Sequence, residues 1–105
     1  MVEFEFDAGS PCLVCRFDGR MDGAVSQEAQ AAVEEKVMGL LSTWPERLSV
    51  VFDVEKVTFV SSAFLRLCMA VAQKVGASRF SVRATNPGLK KIFLVAGLDK
   101  LFPVG

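Results

Sequence analysis

The chain has 105 residues, 51% of them hydrophobic, with 12 Lys and Arg set against 12 Asp and Glu and no histidine at all. That length suits one domain, 1–105, and carries enough apolar side chains to bury a core without disulfides or metal. Charge balance leaves no expected basic patch for nucleic acid or an anionic membrane, and the missing histidine removes Ser-His and Cys-His nucleophile pairs and His-containing metal sites.

Val2, Phe4 and Phe6 alternate with Glu3, Glu5 and Asp7, which predicts a half-exposed strand. After a turn at Gly9-Ser10-Pro11, Cys12–Phe17 reads as a second strand, antiparallel to the first because the connection is short. Gly19–Gly23 breaks the pattern. Ser26 is then a candidate helix cap, with Glu28 in the first turn. Val33, Val37, Leu40, Leu41 and Trp44 share one helical face, and Pro45 stops the helix near Trp44. Leu48–Val54 is nearly all apolar and β-branched, so a central strand covered on both faces is expected. Val57–Val60 continues toward a turn.

Ser61 or Ser62 can cap a second helix, Ala63–Val75, which is apolar almost all round and ends at Gly76. Arg79–Ala84 is a fourth strand. Asn86-Pro87 starts a third helix with a cap and a proline at its first position. Leu89, Ile92, Phe93 and Ala96 line one side of it, and Gly97 ends it. Leu101 and Phe102 form a final hydrophobic clasp. The order β-β-α-β-α-β-α implies an α/β fold with a four-stranded, mostly parallel sheet and an antiparallel N-terminal hairpin.

Three cysteines, Cys12, Cys15 and Cys68, are an odd count and argue against a disulfide framework. Cys12 and Cys15 spell C-x-x-C. They lie in a strand, where positions three apart face opposite ways, and not at a helix start where a thiol is activated. A thiol oxidoreductase is therefore disfavoured, and Cys68 reads as core. Lys90-Lys91 and Lys100 read as a solvated face. No apolar run is long enough to span a membrane, and the acidic, alternating start is no signal peptide, so a cytoplasmic chain without direct membrane insertion is expected.

Three segments together resemble the STAS domains of bacterial anti-sigma factor antagonists. Asp53–Leu67 (DVEKVTFVSSAFLRL) is similar to the family signature, a hydrophobic strand turning into a serine at a helix start. Gly19-Arg20-Met21-Asp22 is similar to the family's G-x-hydrophobic-D. Asn86–Phe102 (NPGLKKIFLVAGLDKLF) resembles its C-terminal helix and ending. The resemblance spans essentially the whole chain and implies a STAS-like fold.

It also implies a site. The family pattern D-S-[ST]-G-L places Ser61 at the Asp position and Ser62 at the serine phosphorylated by an anti-sigma factor kinase. Ala63 falls at the second hydroxyl, Phe64 at the glycine and Leu65 at the leucine. The implied partner surface comprises Asp22, Ser61, Ser62, Ala63, Phe64 and Arg66. Each also has a plain structural reading. A serine before a helix is most often a cap, Asp22 a loop or capping residue, and Arg66 a solvated charge. Phe64 is either core, the usual fate of Phe, or an exposed anchor blocking the close approach that a glycine allows.

The resulting expectation is a non-enzymatic regulatory binding module with no cofactor and no nucleic-acid partner, monomeric or weakly dimeric. It binds an anti-sigma factor or serine kinase and is switched at Ser62. The alternative is a non-phosphorylated STAS scaffold, a stressosome-type component or an accessory subunit of an ABC transporter.

Overall fold

A computed structural model describes residues 2–105. Strands β1 (Val2–Asp7) and β2 (Cys12–Met21) are followed by α1 (Gly23–Thr43), β3 (Ser49–Val60), α2 (Ser62–Val75), β4 (Phe80–Arg83) and α3 (Pro87–Val95), the expected order. One-turn 3₁₀ helices at Ala77–Arg79 and Leu98–Lys100 complete the chain. The sheet runs β1-β2-β3-β4, with β1 antiparallel to β2 and the remaining pairs parallel. Parallel neighbours need crossovers, and α1 and α2 supply them.

The strand alternation sorts the side chains. Leu13, Cys15, Phe17, Val50, Phe52, Val54, Phe80 and Val82 are buried on the helical side. Val33 and Val37 of α1, Leu67, Cys68 and Val71 of α2, and Leu89 and Phe93 of α3 close over them. A run of rings crosses this core. Phe64, Phe17, Phe52, Phe80 and Phe102 meet edge to face at centroid separations of 5.1, 4.8, 4.9 and 4.8 Å. That geometry sets a positive ring edge against a negative face and adds about 0.5–1.5 kcal/mol per pair beyond burial.

The expectation that β3 is covered on both faces is corrected. On its outer side Ser49 and Val51 are only half-buried and Glu55 is exposed. The register sets Glu3, Arg16, Asp53 and Arg83 in a row across all four strands of that face. Asp53 Oδ2 lies 3.4 Å from Arg83 Nη2 and 3.7 Å from Arg16 Nε, and Arg16 Nη1 lies 3.1 Å from Glu5 Oε1. Opposite charges on adjacent strands therefore shield the sheet where no helix does.

β3 is also longer than Leu48–Val54. Its pairing with β2 slips by one residue after Asp53 and again after Val57, where Gly19 of β2 takes φ 74°. Each slip puts one extra residue into β3, so Val54, Val57 and Val60, three apart, are all buried. The bulges carry the strand as far as Ser61.

Three further expectations change. Ser26 is not the cap of α1. Asp22 is, accepting from Val25 N at 3.0 Å, and Ser26 lies buried inside the first turn. Ile92 and Ala96 of α3 do not join Leu89 and Phe93 in the core but face outward. Of the Leu101–Phe102 clasp only Phe102 is buried, with Leu101 52% exposed. The chain then turns alongside β4. Pro103 O accepts from Val82 N at 3.0 Å, and Gly105 N donates to Val82 O at 2.8 Å.

Candidate functional site

Both α1 and α2 begin where a strand of the sheet ends, β2 at Met21 and β3 at Val60, and these two residues pair in the sheet. The two helix starts are therefore neighbours. The Met21 carbonyl ties them together. It accepts the Ser61 N–H at 3.0 Å and the Ser26 hydroxyl at 3.1 Å. Asp22, next in the chain, caps α1. Ser61 caps α2, its Oγ accepting from Phe64 N at 3.3 Å and its carbonyl from Leu65 N at 3.2 Å. Of the two serines that could cap α2, Ser61 has the extended backbone the role requires, φ −95° and ψ 170°.

Ser62 is thereby freed. It is the first residue of α2, it is exposed, and its hydroxyl makes no hydrogen bond among the described residues. Unpaired backbone N–H groups and the positive end of the helix dipole lie at this position, which suits an anion. Arg66, one turn further on, is exposed and forms no ion pair among the described residues. Ala63 is half-buried. A groove of about 520 Å³ runs between the helices, with Gly23, Gln27 and Gln30 on one wall and Ala63, Arg66 and Ala70 on the other. The structure thus brings Asp22, Ser61, Ser62, Ala63 and Arg66 to one corner.

Phe64 does not belong to that surface. Its ring is wholly buried, edge-on to Phe17 at 5.1 Å, so it makes no side-chain contact with a docked protein. Its inward direction also removes the conflict expected from a bulky residue at the glycine position, because the outer side of the turn stays open. Sequence reading missed the Met21 carbonyl and gave Ser26 a capping role in place of its bond to that carbonyl. Their signal was present in Met21 preceding a capping Asp and in a serine four residues beyond that cap.

Cys15 is buried, and burial together with Cys12 pushes its thiol from 9.0 up to about 12. Burial likewise raises the Cys68 thiol. Neither is a thiolate nucleophile near neutral pH. Among the described residues no helix is long and apolar enough to cross a membrane.

No protein-family model matches the sequence, and a comparison with curated proteins finds no match. Solved structures do match. An anti-sigma factor antagonist from Mycobacterium paratuberculosis is 25% identical with a TM-score of 0.81, over 99% of this chain and 83% of that one. The anti-sigma factor antagonist SpoIIAA in its unphosphorylated form is 16% identical with a TM-score of 0.76, over 100% of this chain and 88% of that one. The Bacillus cell fate determinant SpoIIAA in the phosphorylated form is 16% identical with a TM-score of 0.69, over 100% and 91%.

Proposed function

We propose that this chain, whose fold is the STAS-type fold of the anti-sigma factor antagonists, is a regulatory docking module of that kind, binding an anti-sigma factor with serine kinase activity and switched by phosphorylation of Ser62. One observation carries the reading. Ser61 takes the capping role and leaves the Ser62 hydroxyl exposed and free at the start of α2. The partner supplies the catalysis. It transfers the terminal phosphoryl group of a nucleoside triphosphate to Ser62 Oγ, breaking the bond to the nucleoside diphosphate and taking up the hydroxyl proton.

The phosphate adds about −1.5 to −2 charges and three acceptor oxygens. Set on the free N–H groups of α2, with Arg66 one turn away, it leaves its own helix intact. It repels a partner seated on the corner between Asp22 and Arg66, through bulk and desolvated charge. A single structural neighbour solved in both forms accords with a fold that tolerates the modification.

The test is incubation with the cognate kinase and ATP, followed by mass mapping. One phosphate on Ser62, absent from Ser62→Ala, supports the reading, whereas a phosphate on Ser61 or none at all ends it. A scaffold without phosphorylation draws on Ser61 replacing the family's acidic residue. It predicts partner binding that neither Ser62→Ala nor Ser62→Asp alters.

A further inference from the structure

A net charge of zero conceals a division of charge along the chain. Residues 1–61 carry eleven acids and five bases, and residues 62–105 carry seven bases and one acid. The fold turns this into a division in space. Across the helical layer α1 packs on α2 through the flank of Ala63, Arg66 and Ala70, while on the other flank of α2 Leu65 shares an apolar groove with Ile92, Val95 and Ala96 of α3, and Met69 and Gln73 share one with Leu101 and Phe102. α1 and α3 therefore occupy opposite ends.

Each end combines unpaired charge with exposed apolar surface. At the basic end Val95 is 79% exposed, Leu101 52% and Leu94 45%. Lys90, Lys91 and Lys100 surround them, and none forms an ion pair among the described residues. Only Asp99 opposes them in sign. The charge balance expected to leave no basic patch does leave one. At the acidic end Glu28, Ala32, Glu35 and Gly39 follow one stripe of α1. An apolar groove of about 410 Å³ between that stripe and Phe4 of β1 also includes Leu40. Met38 nearby is 57% exposed, and Glu28 and Glu35 carry no partner among the described residues. Lys36 is the cation there.

We propose that the basic apolar face of α3 docks onto the acidic apolar groove of α1 and β1 in a second copy of the chain. Each face repels its own kind, so a two-fold dimer that joins α3 to α3 is disfavoured. The match is between different surfaces at opposite ends, and a contact of that type propagates unless the rotation closes a ring. The assembly is held partly by exposed charges, so salt weakens it. It forms whether or not Ser62 carries a phosphate.

The experiment is sedimentation of the full chain over a wide concentration range at low and high salt. At low salt the average mass climbs past two chains, and high salt lowers it. Val95→Glu breaks the basic face and Glu35→Lys the acidic one, and Lys91→Glu provides a second break on α3. All three positions are exposed, and unchanged melting curves establish that the variants fold. Each variant alone stays monomeric. Val95→Glu mixed with Glu35→Lys pairs through the two intact faces, as does Lys91→Glu mixed with Glu35→Lys. A wild-type chain that stays monomeric at low salt overturns the proposal, as does one that stops at two, or a mixture of variants that does not pair. A monomeric wild-type chain that sediments with phosphatidylserine vesicles assigns the basic face to lipid and overturns it as well.

Discussion

Phe64→Ala separates a buried ring from an exposed docking residue, and the structure fixes the size of the effect. The side chain is 0% exposed. Burying a ring of this size removes about 200 Å² from water, about 5 kcal/mol at 25 cal/mol per Å². That figure is an upper bound, because the unfolded chain already hides part of this surface. Truncations of buried Phe to Ala cost about 3–5 kcal/mol, cavity included. The contacts with Phe17 at 5.1 Å and Phe52 at 5.9 Å are lost too, which keeps the estimate in that range. A domain of this size holds about 5–15 kcal/mol in total. We expect a loss of about 4 kcal/mol, or a melting temperature lower by about 15–30 °C. Urea unfolding followed by circular dichroism measures it, with Phe64→Leu as a milder companion that keeps most of the volume. A loss below about 1 kcal/mol for Phe64→Ala, typical of surface positions, refutes the buried placement.

Other outcomes follow from the same geometry. Ser61→Ala removes the cap of α2 and costs about 1 kcal/mol in urea unfolding, whereas Ser62→Ala stays within about 0.5 kcal/mol of the parent. Asp53→Ala leaves Glu55 N and two arginines without their shared acceptor and costs about 1–2 kcal/mol, with high salt reducing the difference from the parent. A thiol reagent labels Cys12 in the native protein and reaches buried Cys15 and Cys68 only after denaturation. The folded Cys15 thiol titrates above its unfolded value, so its contribution to stability is complete below pH 9.0 and is lost as pH rises toward about 12. Cys15→Ala removes that part of the alkaline decline.

The order of elements was legible because each carries its own periodicity, two for Val2-Phe4-Phe6 and near 3.6 for Val33-Val37. The cap at Asn86, the proline that follows it and the stop at Pro45 were equally plain. The length of β3 was not. A bulge is a property of two paired strands, and its one trace in a single strand is the spacing of Val54, Val57 and Val60, which resembles neither period. Leu48–Val54 misled for a related reason. An apolar run suggests two covered faces, but Ser49, Val51 and Asp53 fall on the face that charge pairs protect.

At the site, Ser61 and Ser62 were interchangeable as letters. Only the register of β3 against β2 decides which one meets the Met21 carbonyl and caps the helix. The charge division between the two halves was fully readable from the sequence, and the zero total concealed it. Its spatial meaning depended on α2 lying between α1 and α3.

The last three residues have a consequence for how copies of this protein can meet. By bonding to Val82 on both its N–H and its carbonyl, Pro103–Gly105 occupy the outer rim of β4, so a neighbouring molecule finds no vacant ladder to extend there. The opposite rim, β1, carries Glu3, Glu5 and Asp7 on its exposed face, where a like strand laid alongside would bring acid next to acid, and an acidic margin discourages that pairing. Amyloid-like stacking of backbones is thus disfavoured at both borders, and self-recognition is left to side chains, where a single substitution can tune it.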